Sequence, residues 1–335
     1  MGKKRKIKKP KSVRPTEPGA YKTRIKVIGI GEGGSSIVSE IAERGVKRAE
    51  FVAVNTNIRA LKETSKRVKR FWFGKKLTQG LGTGMNLELG EMAAREEKEK
   101  IKELLRGIDF CILVASLGGG TGSGAGPVFA EISRRFKNTT LGIFTLPFKF
   151  EGEKKMELAM AALEKLRSNL NTLIIIPNQR IFQIVDKNTP LREALSVINK
   201  NLAESLQGLI ETIYQSGLIK IDWASLKSIL EGKGKLAFLN TIQIQGMRQV
   251  EEIVKKVLAN PLYPYSPQGA SGGTLFHISG GLSLNVGEIE QIGKVISESV
   301  NPRAKVAFGV DMGKGDKIKM TLLANGCQWE EWATK

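Results

Sequence analysis

The sequence predicts an α/β fold in which a mostly parallel sheet is flanked by helices. Three observations predict it: short apolar runs typical of buried strands recur up to Pro177, helical patterns follow most of them, and glycine-rich turns connect the two. Strands that alternate with helices in this way build parallel sheets. With 335 residues, the chain can bury a large core and is long enough for two domains.

The predicted elements follow from these patterns in chain order. Apolar runs predict strands at residues 24–30, 50–55, 109–115, 141–147 and 172–177. Amphipathic spacing predicts helices at residues 35–44, 96–105, 127–135 and 156–170, and a long helix at 190–217. After that helix, the pattern predicts strands at 235–245, 275–281, 304–311 and 317–324, with helices at 247–259 and 285–300.

The stretch from Ser116 to Pro127 is the main candidate for a functional site. It follows the apolar run 109–115 and contains six glycines in twelve residues. Glycine leaves backbone N–H groups uncovered, so a loop of this kind can wrap a polyphosphate as an anion nest. The helix predicted at 127–135 would point the positive end of its dipole at the same anion. A flexible linker is also rich in glycine, but it lacks the strand before and the helix after.

A second glycine pattern follows the first predicted strand. Residues 29–34 read GxGxxG, the fingerprint of dinucleotide-binding folds. An NAD-binding fold would place an acidic residue after the second strand, where this chain has Asn55, Thr56 and Asn57. These residues count against an oxidoreductase, an alternative that rests on the glycine spacing alone. No Walker A pattern occurs, so the chain does not resemble a P-loop enzyme.

Composition narrows the possible functions further. The one histidine, His277, lies in an apolar strand pattern, and the two cysteines form no spaced motif, which argues against zinc or histidine catalysis and against a disulfide framework. No apolar run approaches the ~20 residues of a membrane span, and we expect a cytoplasmic protein. The net charge is +20, and residues 1–24 hold ten lysines and arginines against one glutamate. We expect this tail to be disordered, and either to solubilise the chain or to contact anionic lipid, nucleic acid or an acidic protein.

The segment Gly118-Gly-Gly-Thr-Gly-Ser-Gly124 resembles the signature loop of the tubulin/FtsZ family, most of all its bacterial-type FtsZ branch. Other segments between about residues 24 and 327 resemble further loops of that family in the same order. The resemblance implies a Rossmann-like nucleotide-binding domain with a parallel sheet, a central helix, and a second α/β domain at the C-terminus. It also implies GTP or GDP as the ligand, together with Mg²⁺, and self-association into filaments.

The resemblance also implies the residues that contact the nucleotide. Those in the first two loops are Gly31, Gly33, Gly34, Asn55 and Thr56. The loop at 74–95, which would close over the γ-phosphate, supplies Gly82 and Gly84, and the signature loop supplies Gly118, Gly119, Gly120, Thr121, Gly122, Ser123 and Gly124. Glu151 would hold the ribose, Lys155 stands where the family has an arginine, and Asn178 follows the last strand. No metal-ligating side chain is implied.

The start of the central helix would read the guanine base. The family uses an aromatic residue and an aspartate there, and alignment places Leu195 and Lys200 at these positions. A lysine carries only donors, so it cannot replace the carboxylate. Asn199 or Asn201 would supply an amide contact instead, and we assign Asn199 and Lys200 to the base end of the site.

Residues 217–226 resemble the synergy loop, which one subunit of the family inserts into the nucleotide pocket of the next. Asp222 matches the first catalytic aspartate of that loop, whereas Ser225 replaces the second and Lys220 replaces an asparagine. A hydroxyl polarises water far less than a carboxylate, so we expect hydrolysis to be slow. The alternative role of Asp222 is to cap the helix that begins near Trp223.

These observations predict an FtsZ-like GTP-binding cytoskeletal protein that assembles head to tail, with slow or impaired GTP hydrolysis at the subunit interface, in cell division or a related role. The alternative is a non-hydrolysing scaffold that copolymerises with, or caps, a catalytically complete FtsZ. The predicted parts of the chain are a basic tail at 1–23, a nucleotide-binding domain at 24–189, a central helix at 190–217, a C-terminal domain at 218–327 and a short tail at 328–335.

Overall fold

A computed structural model describes residues 23–214, 217–245, 250–280, 285–301, 303–312 and 317–329. Most of the predicted basic tail and residues 330–335 lie outside these ranges. No helix in the described ranges combines the length and the hydropathy that a membrane span requires.

Six strands form the N-terminal part of the sheet, and each pair of neighbours is parallel. They are β1 (Ile25–Ile30), β2 (Glu50–Asn55), β3 (Lys69–Trp72), β4 (Phe110–Ser116), β5 (Thr139–Leu146) and β6 (Thr172–Pro177). Their order across the sheet is β3-β2-β1-β4-β5-β6. β1 and β5 are buried at every residue, as expected for strands of a parallel sheet that is covered on both faces.

The helices alternate with these strands and continue into the C-terminal part. They are α1 (Gly31–Glu43), α2 (Ile58–Lys62), α3 (Lys75–Thr78), α4 (Leu87–Glu96), α5 (Lys98–Leu105), α6 (Gly120–Arg135), α7 (Glu153–Arg167), α8 (Leu191–Tyr214), α9 (Trp223–Leu230), α10 (Val250–Leu258) and α11 (Val286–Ser299). The long helix α8 packs against α1 on one side and against the C-terminal strands on the other.

The C-terminal strands extend the same sheet. They are β7 (Lys235–Gln245), β8 (Gly273–Gly280), β9 (Lys305–Met312) and β10 (Lys317–Cys327), in the order β7-β10-β8-β9. β7 joins β6 through two residue pairs only, Thr172 with Lys235 and Leu173 with Leu236. The two parts of the chain therefore meet at a short seam, which α8 spans.

The predicted α/β class with a parallel sheet is confirmed, but several predicted boundaries are wrong. α6 begins at Gly120 rather than at 127, α1 begins at Gly31 rather than at 35, and the expected loop at 74–95 contains α3 and α4. Glycine is a poor helix former, so the start of a helix that is predicted from sequence falls after the glycines. Packing overrides this preference, because a Cβ on Gly124 would lie 2.2 Å from the Leu87 carbonyl oxygen.

The histidine of the chain is buried in β8, as its apolar surroundings predict. His277 Nε2 lies 3.7 Å from Asp311 Oδ2 on the neighbouring strand β9. Burial lowers the pKa of His277, and the attraction of Asp311 only partly opposes this effect. The pair is remote from the glycine-rich loops.

Candidate nucleotide-binding site

The glycine-rich loops enclose a cavity of about 700 Å³ at the carboxyl ends of β1, β4 and β5. The connections from β1 and β4, which are neighbours in the sheet, leave it in opposite directions, because β2 follows on one side and β5 on the other. This is the topological switch point, where parallel α/β sheets bind their ligands. The position in the fold thus supports a ligand site independently of the glycine motifs.

Two helices begin at this cavity without a side-chain cap. α1 starts at Gly31 and α6 starts at Gly120, and neither N-cap residue, Ile30 or Gly119, accepts a hydrogen bond through its side chain. The N–H groups of a first helical turn have no partner within the helix, and the helix dipole adds positive charge there. The cavity therefore offers two sets of backbone donors to an anion.

The two glycine-rich segments pack against each other too closely for side chains. Gly31 has φ +75°, and a Cβ there would lie 2.9 Å from the backbone nitrogen of Gly122. A Cβ on Gly33 would lie 2.3 Å from Ser116 Oγ. These glycines are required by the fold whether or not a ligand binds.

Gly119 differs from these glycines. Its backbone has an ordinary extended conformation, with φ −92° and ψ 154°, and a Cβ added to it would meet no atom within 4 Å among the described residues. The residue nevertheless lines the cavity. The fold does not need glycine at this position, but a ligand that approaches the backbone would.

Three threonines connect the loops beneath the cavity. Thr121 Oγ1 lies 2.7 Å from Thr56 Oγ1 and 3.2 Å from Thr83 Oγ1, so the signature loop is bonded to the turn after β2 and to the segment before α4. The neighbouring Asn55 is buried and lines the cavity, and its Nδ2 has no hydrogen-bond partner in the described part of the chain. This orphaned donor fits a site whose acceptor belongs to a ligand.

The loop after β5 contributes a charged pair and aromatic rings. Glu151 forms an ion pair with Lys155 and accepts a hydrogen bond of 2.8 Å from the backbone nitrogen of Phe148. The rings of Phe148 and Phe150 stack with their centroids 4.8 Å apart. All four residues line the cavity.

One face of α8 forms a further wall of the cavity. Leu191, Leu195, Ile198 and Asn199 line it. Lys200 does not, because it lines a different cavity on the other side of α8. Asn201 is also directed elsewhere, where its Oδ1 accepts a hydrogen bond from Asn260.

The orientation of the Asn199 amide is fixed by Glu40. Asn199 Nδ2 donates to Glu40 Oε2 at 2.6 Å. Burial alone would raise the pKa of Glu40, but hydrogen bonds from Ser196, Asn199 and Arg44 outweigh it and hold the pKa below its usual value. The ionised carboxylate accepts only, so the amide nitrogen of Asn199 must face it. Asn199 Oδ1 has no partner in the described ranges and is left to accept a hydrogen bond at the cavity.

The structure brings most of the predicted nucleotide contacts to this one cavity. The residues that line it are Gly31, Gly33, Asn55, Gly82, Gly84, Gly119, Gly120, Thr121, Gly122, Glu151, Lys155, Asn178 and Asn199. The predicted residues outside its lining are Gly34, Thr56, Gly118, Ser123, Gly124 and Lys200. Most of the latter support the loops; Ser123 Oγ, for example, accepts a hydrogen bond of 2.8 Å from Gly118 N.

Some residues of the site were not predicted. They include Thr83, Ser116 and Phe150. Thr83 and Ser116 lie within the predicted loops, and their closeness in sequence to the glycines is the only feature that indicates a place at the cavity. Phe150 directly precedes Glu151 and is 70% exposed.

The predicted synergy-loop residues lie at the opposite end of the sheet. Trp223 packs against Phe110, the first residue of β4, with 5.5 Å between the ring centroids, whereas the last residue of β4, Ser116, lines the cavity. A parallel strand of seven residues spans about 20 Å. Asp222 immediately precedes Trp223, so it cannot reach a ligand in the cavity of its own chain.

Asp222 is the N-cap of α9. Its Oδ1 accepts a hydrogen bond of 2.7 Å from the backbone nitrogen of Ser225. Hydrogen bonds from the Ser225 side chain and backbone lower the pKa of Asp222. The side chain is exposed and ionised, and its carboxylate can accept further hydrogen bonds beside the one that caps α9.

Two family models match the chain. One, described as the GTPase domain of the Tubulin/FtsZ family, matches residues 24–186, and the other, described as the C-terminal domain of the FtsZ family, matches residues 235–328. The chain belongs to the tubulin/FtsZ family. Proteins of this family are GTPases, and this chain is accordingly an FtsZ-like, GTP-binding protein of a filament-forming cytoskeletal family.

Solved structures of FtsZ-like proteins share the fold. The empty FtsZ dimer of M. jannaschii is 34% identical, with a TM-score of 0.80, and the match covers 91% of this chain and 89% of that chain. CetZ2 from Haloferax volcanii, solved as a GTPγS-bound protofilament, is 18% identical with a TM-score of 0.76, over 91% and 94% of the two chains. CetZ1 from the same organism, a GDP-bound monomer, is 22% identical with a TM-score of 0.77, over 91% and 94%.

Proposed function

We propose that this FtsZ-like chain binds GTP in the cavity described above and assembles head to tail, so that Asp222 of one subunit reaches the nucleotide of the next. The observation that carries the proposal is the distance of about 20 Å along β4 between the two parts of the site. A site whose halves lie at opposite ends of a molecule is completed only by a second copy. A contact of this kind is heterologous and propagates into a filament.

Exposed apolar side chains at both ends support this association. Leu81 and Phe150, at the rim of the cavity, are 79% and 70% exposed. Leu218, in the loop before Asp222, is 73% exposed, and the neighbouring Ile219 pairs with the edge strand β9 at Val310. Burial of both patches between successive subunits would provide the apolar part of a longitudinal interface.

The phosphates would bind to the N-termini of α1 and α6. Among the described residues, no three histidine, cysteine, aspartate or glutamate side chains converge to hold a metal. A Mg²⁺ ion in this site would thus be held mainly by phosphate oxygens and water, as is usual for nucleotide-bound Mg²⁺. It would neutralise part of the phosphate charge.

Asn199 would select guanine in place of the missing carboxylate. Its nitrogen is held by Glu40 and the residue lines the cavity, so Oδ1 would be the atom that accepts from a ligand. Guanine presents N–H donors on its Watson–Crick edge at N1 and N2, whereas adenine presents an acceptor at N1. Leu195 would pack against the base, although it lacks an aromatic face.

Hydrolysis would be slow, because Ser225 offers no carboxylate to orient water and Asp222 is engaged as a helix cap. Loss of one positioned electrostatic group typically costs about 10²–10³ in rate. The same two residues favour the second candidate function, a scaffold that copolymerises with a catalytically complete FtsZ. Mixing with such an FtsZ distinguishes the two, because a scaffold changes the turnover or the polymer mass of its partner and an independent filament changes neither.

Substitution of Gly119 tests the nucleotide site without damage to the fold. A Gly119→Val chain should fold normally but lose GTP binding at least about tenfold in a fluorescent-nucleotide titration, because its side chain enters the space of the phosphates. Gly126→Ala is the matched control: it adds a Cβ to α6 at an ordinary contact distance, 3.4 Å from Leu166 Cδ2, away from the cavity. Equal GTP affinity in the two variants would contradict the proposed site.

A further inference from the structure

A second and larger cavity lies between the two parts of the chain, and we propose that it binds a small anion with several phosphate groups. Its volume is about 1200 Å³, against about 700 Å³ for the nucleotide cavity. β7 and β10 form its floor, α8 forms one wall, and the loop after α1 closes a side. We call it the interdomain cleft. It is separate from the proposed GTP site, with which it shares no lining residue.

The α8 wall of the interdomain cleft is a different stripe of the helix from the one that faces the nucleotide cavity. It consists of Lys200, Ala203, Glu204, Gln207 and Glu211, which fall on one face of the helix over about three turns. At one edge of the floor, α8 packs directly on the sheet, because a Cβ on Gly208 would lie 2.3 Å from both Thr241 Oγ1 and Thr321 Oγ1. The cleft is thus bounded on one side by a fixed contact.

Basic side chains dominate the lining of the interdomain cleft. They are Arg44, Lys47, Lys200, Lys256, Lys317 and Lys319, against the acids Glu204 and Glu211. Two of these cations are already neutralised, Arg44 by Glu40 at 2.7 Å and Lys319 by Glu211 at 2.5 Å. The second of these pairs uses one of the two acids.

Four lysines of the cleft remain without a partner. In the ranges that the structure describes, the ammonium groups of Lys47, Lys200, Lys256 and Lys317 form no hydrogen bond and no ion pair, and all four side chains are exposed. Four unpaired cations around one concavity, against the one remaining acid Glu204, focus a positive potential into it. A multiply charged anion would relieve their mutual repulsion and gain charge-assisted hydrogen bonds.

Neutral donors complete the lining. Gln243 and Gln245 lie on β7 opposite Lys319 and Lys317 of β10, so each of these lysines has an amide beside it on the neighbouring strand. Amide N–H groups can donate directional hydrogen bonds to phosphate oxygens. A lysine ammonium acts mainly as a point charge and orients the phosphate less. The concave shape and the volume suit a small molecule, whereas a membrane or a duplex needs a flat or convex surface.

A ligand here would join the two parts of the chain. Lys47 and Lys200 belong to the N-terminal part and to α8, whereas Lys256 and Lys317 belong to α10 and β10. An anion held by both pairs favours the arrangement in which they are close.

Inorganic tripolyphosphate is the probe for this proposal, titrated calorimetrically into the full chain at about 0.15 M ionic strength to suppress diffuse attraction. We expect saturable binding that persists in Gly119→Val, where the nucleotide cavity is obstructed. Lys200→Gln/Lys256→Gln/Lys317→Gln should weaken tripolyphosphate binding about tenfold or more, because the substitutions remove three of the positive charges that surround the cleft. The corresponding triple Arg variant should retain it, and unchanged thermal melting would show that the Gln variant is folded.

The control removes three exposed lysines outside both cavities, Lys62→Gln/Lys66→Gln/Lys187→Gln. Equal weakening in the two triple Gln variants would overturn the proposal, because net charge would then explain the binding. So would binding that disappears in Gly119→Val but survives in the cleft variant. Absence of saturable binding, or binding of a poly-glutamate peptide instead of tripolyphosphate, would also overturn it.

Discussion

Ser225→Asp restores the carboxylate that the synergy-loop resemblance assigns to that position. Ser225 is the third residue of α9 and lies three positions after the N-cap residue Asp222. An acid in the first helical turn gains about 0.3–1 kcal/mol from the helix dipole. Two carboxylates about 5 Å apart in water repel by about 0.8 kcal/mol, which nearly cancels that gain. The substitution also removes the hydrogen bond from the Ser225 side chain to Asp222, at a cost of about 0.5–1.5 kcal/mol, which is small enough for the fold to be preserved.

The expected catalytic effect of Ser225→Asp is much larger than its effect on stability. A positioned carboxylate that assists the attacking water should raise GTP turnover by up to about 10²–10³, or roughly 3–4 kcal/mol of barrier. The assay is phosphate release as a function of protein concentration, because a site made from two subunits has a specific activity that rises with concentration. Ser228→Asp is the matched control, one turn further along α9, where the hydroxyl accepts from Lys305 at 2.9 Å.

The reasoning would be refuted if Ser225→Asp released phosphate no faster than Ser228→Asp at concentrations where both sediment as polymer. The loop would then act only as a helix cap. A rise that is independent of protein concentration would contradict head-to-tail completion of the site.

Two further predictions concern the base and the buried histidine. In a fluorescence competition assay, Asn199→Leu should weaken GTP binding about 5- to 150-fold, the equivalent of about 1–3 kcal/mol for a lost acceptor, and leave ATP binding unchanged. Lys200→Leu should change the binding of neither nucleotide. Equal loss of GTP binding in both variants would contradict the contact between Asn199 and the base. The pKa of His277 is lowered in the folded chain, so the unfolded chain binds more protons below the ordinary value of about 6.5. The free energy of unfolding, measured in urea, should thus be highest above that pH and decline as the pH falls through it. In His277→Gln this free energy should depend less on pH. The same dependence in both chains would show that another group titrates.

The glycine pattern predicted the loops of the site but not the starts of its helices. Residues 120–126 read as a loop because glycine disfavours helix, yet they form the first turns of α6. The deciding interaction is the close packing of α4 on α6, where Gly90 and Gly124 leave no room for side chains. Contacts between distant segments of this kind cannot be read from local propensity.

Helix phase explains why only one of the two base-side residues lines the cavity. Successive residues of an α-helix are rotated by about 100°, so Asn199 and Lys200 point in different directions, and the two side chains line different cavities. The stripe that includes Leu191, Leu195 and Ile198 shows which one does. The partner that orients Asn199, Glu40, lies 159 positions away in sequence and could not be inferred without the fold.

The strand β3 and the threonine contacts beneath the cavity were missed for a related reason. β3 has four residues, Lys69–Trp72, two of them basic, and lies at the edge of the sheet, where the apolar signal is weak. Thr56, Thr83 and Thr121 come from three separate loops. Their meeting depends on the register of those loops.

The most direct test of the account is high-speed sedimentation of the full chain with GTP, a slowly hydrolysed GTP analogue, ATP or no nucleotide, with Mg²⁺ throughout. We expect polymer in the pellet with GTP and its analogue, and little with ATP or without nucleotide. Equal pellets under all four conditions, or none under any, would contradict the claim that GTP in this cavity controls head-to-tail assembly.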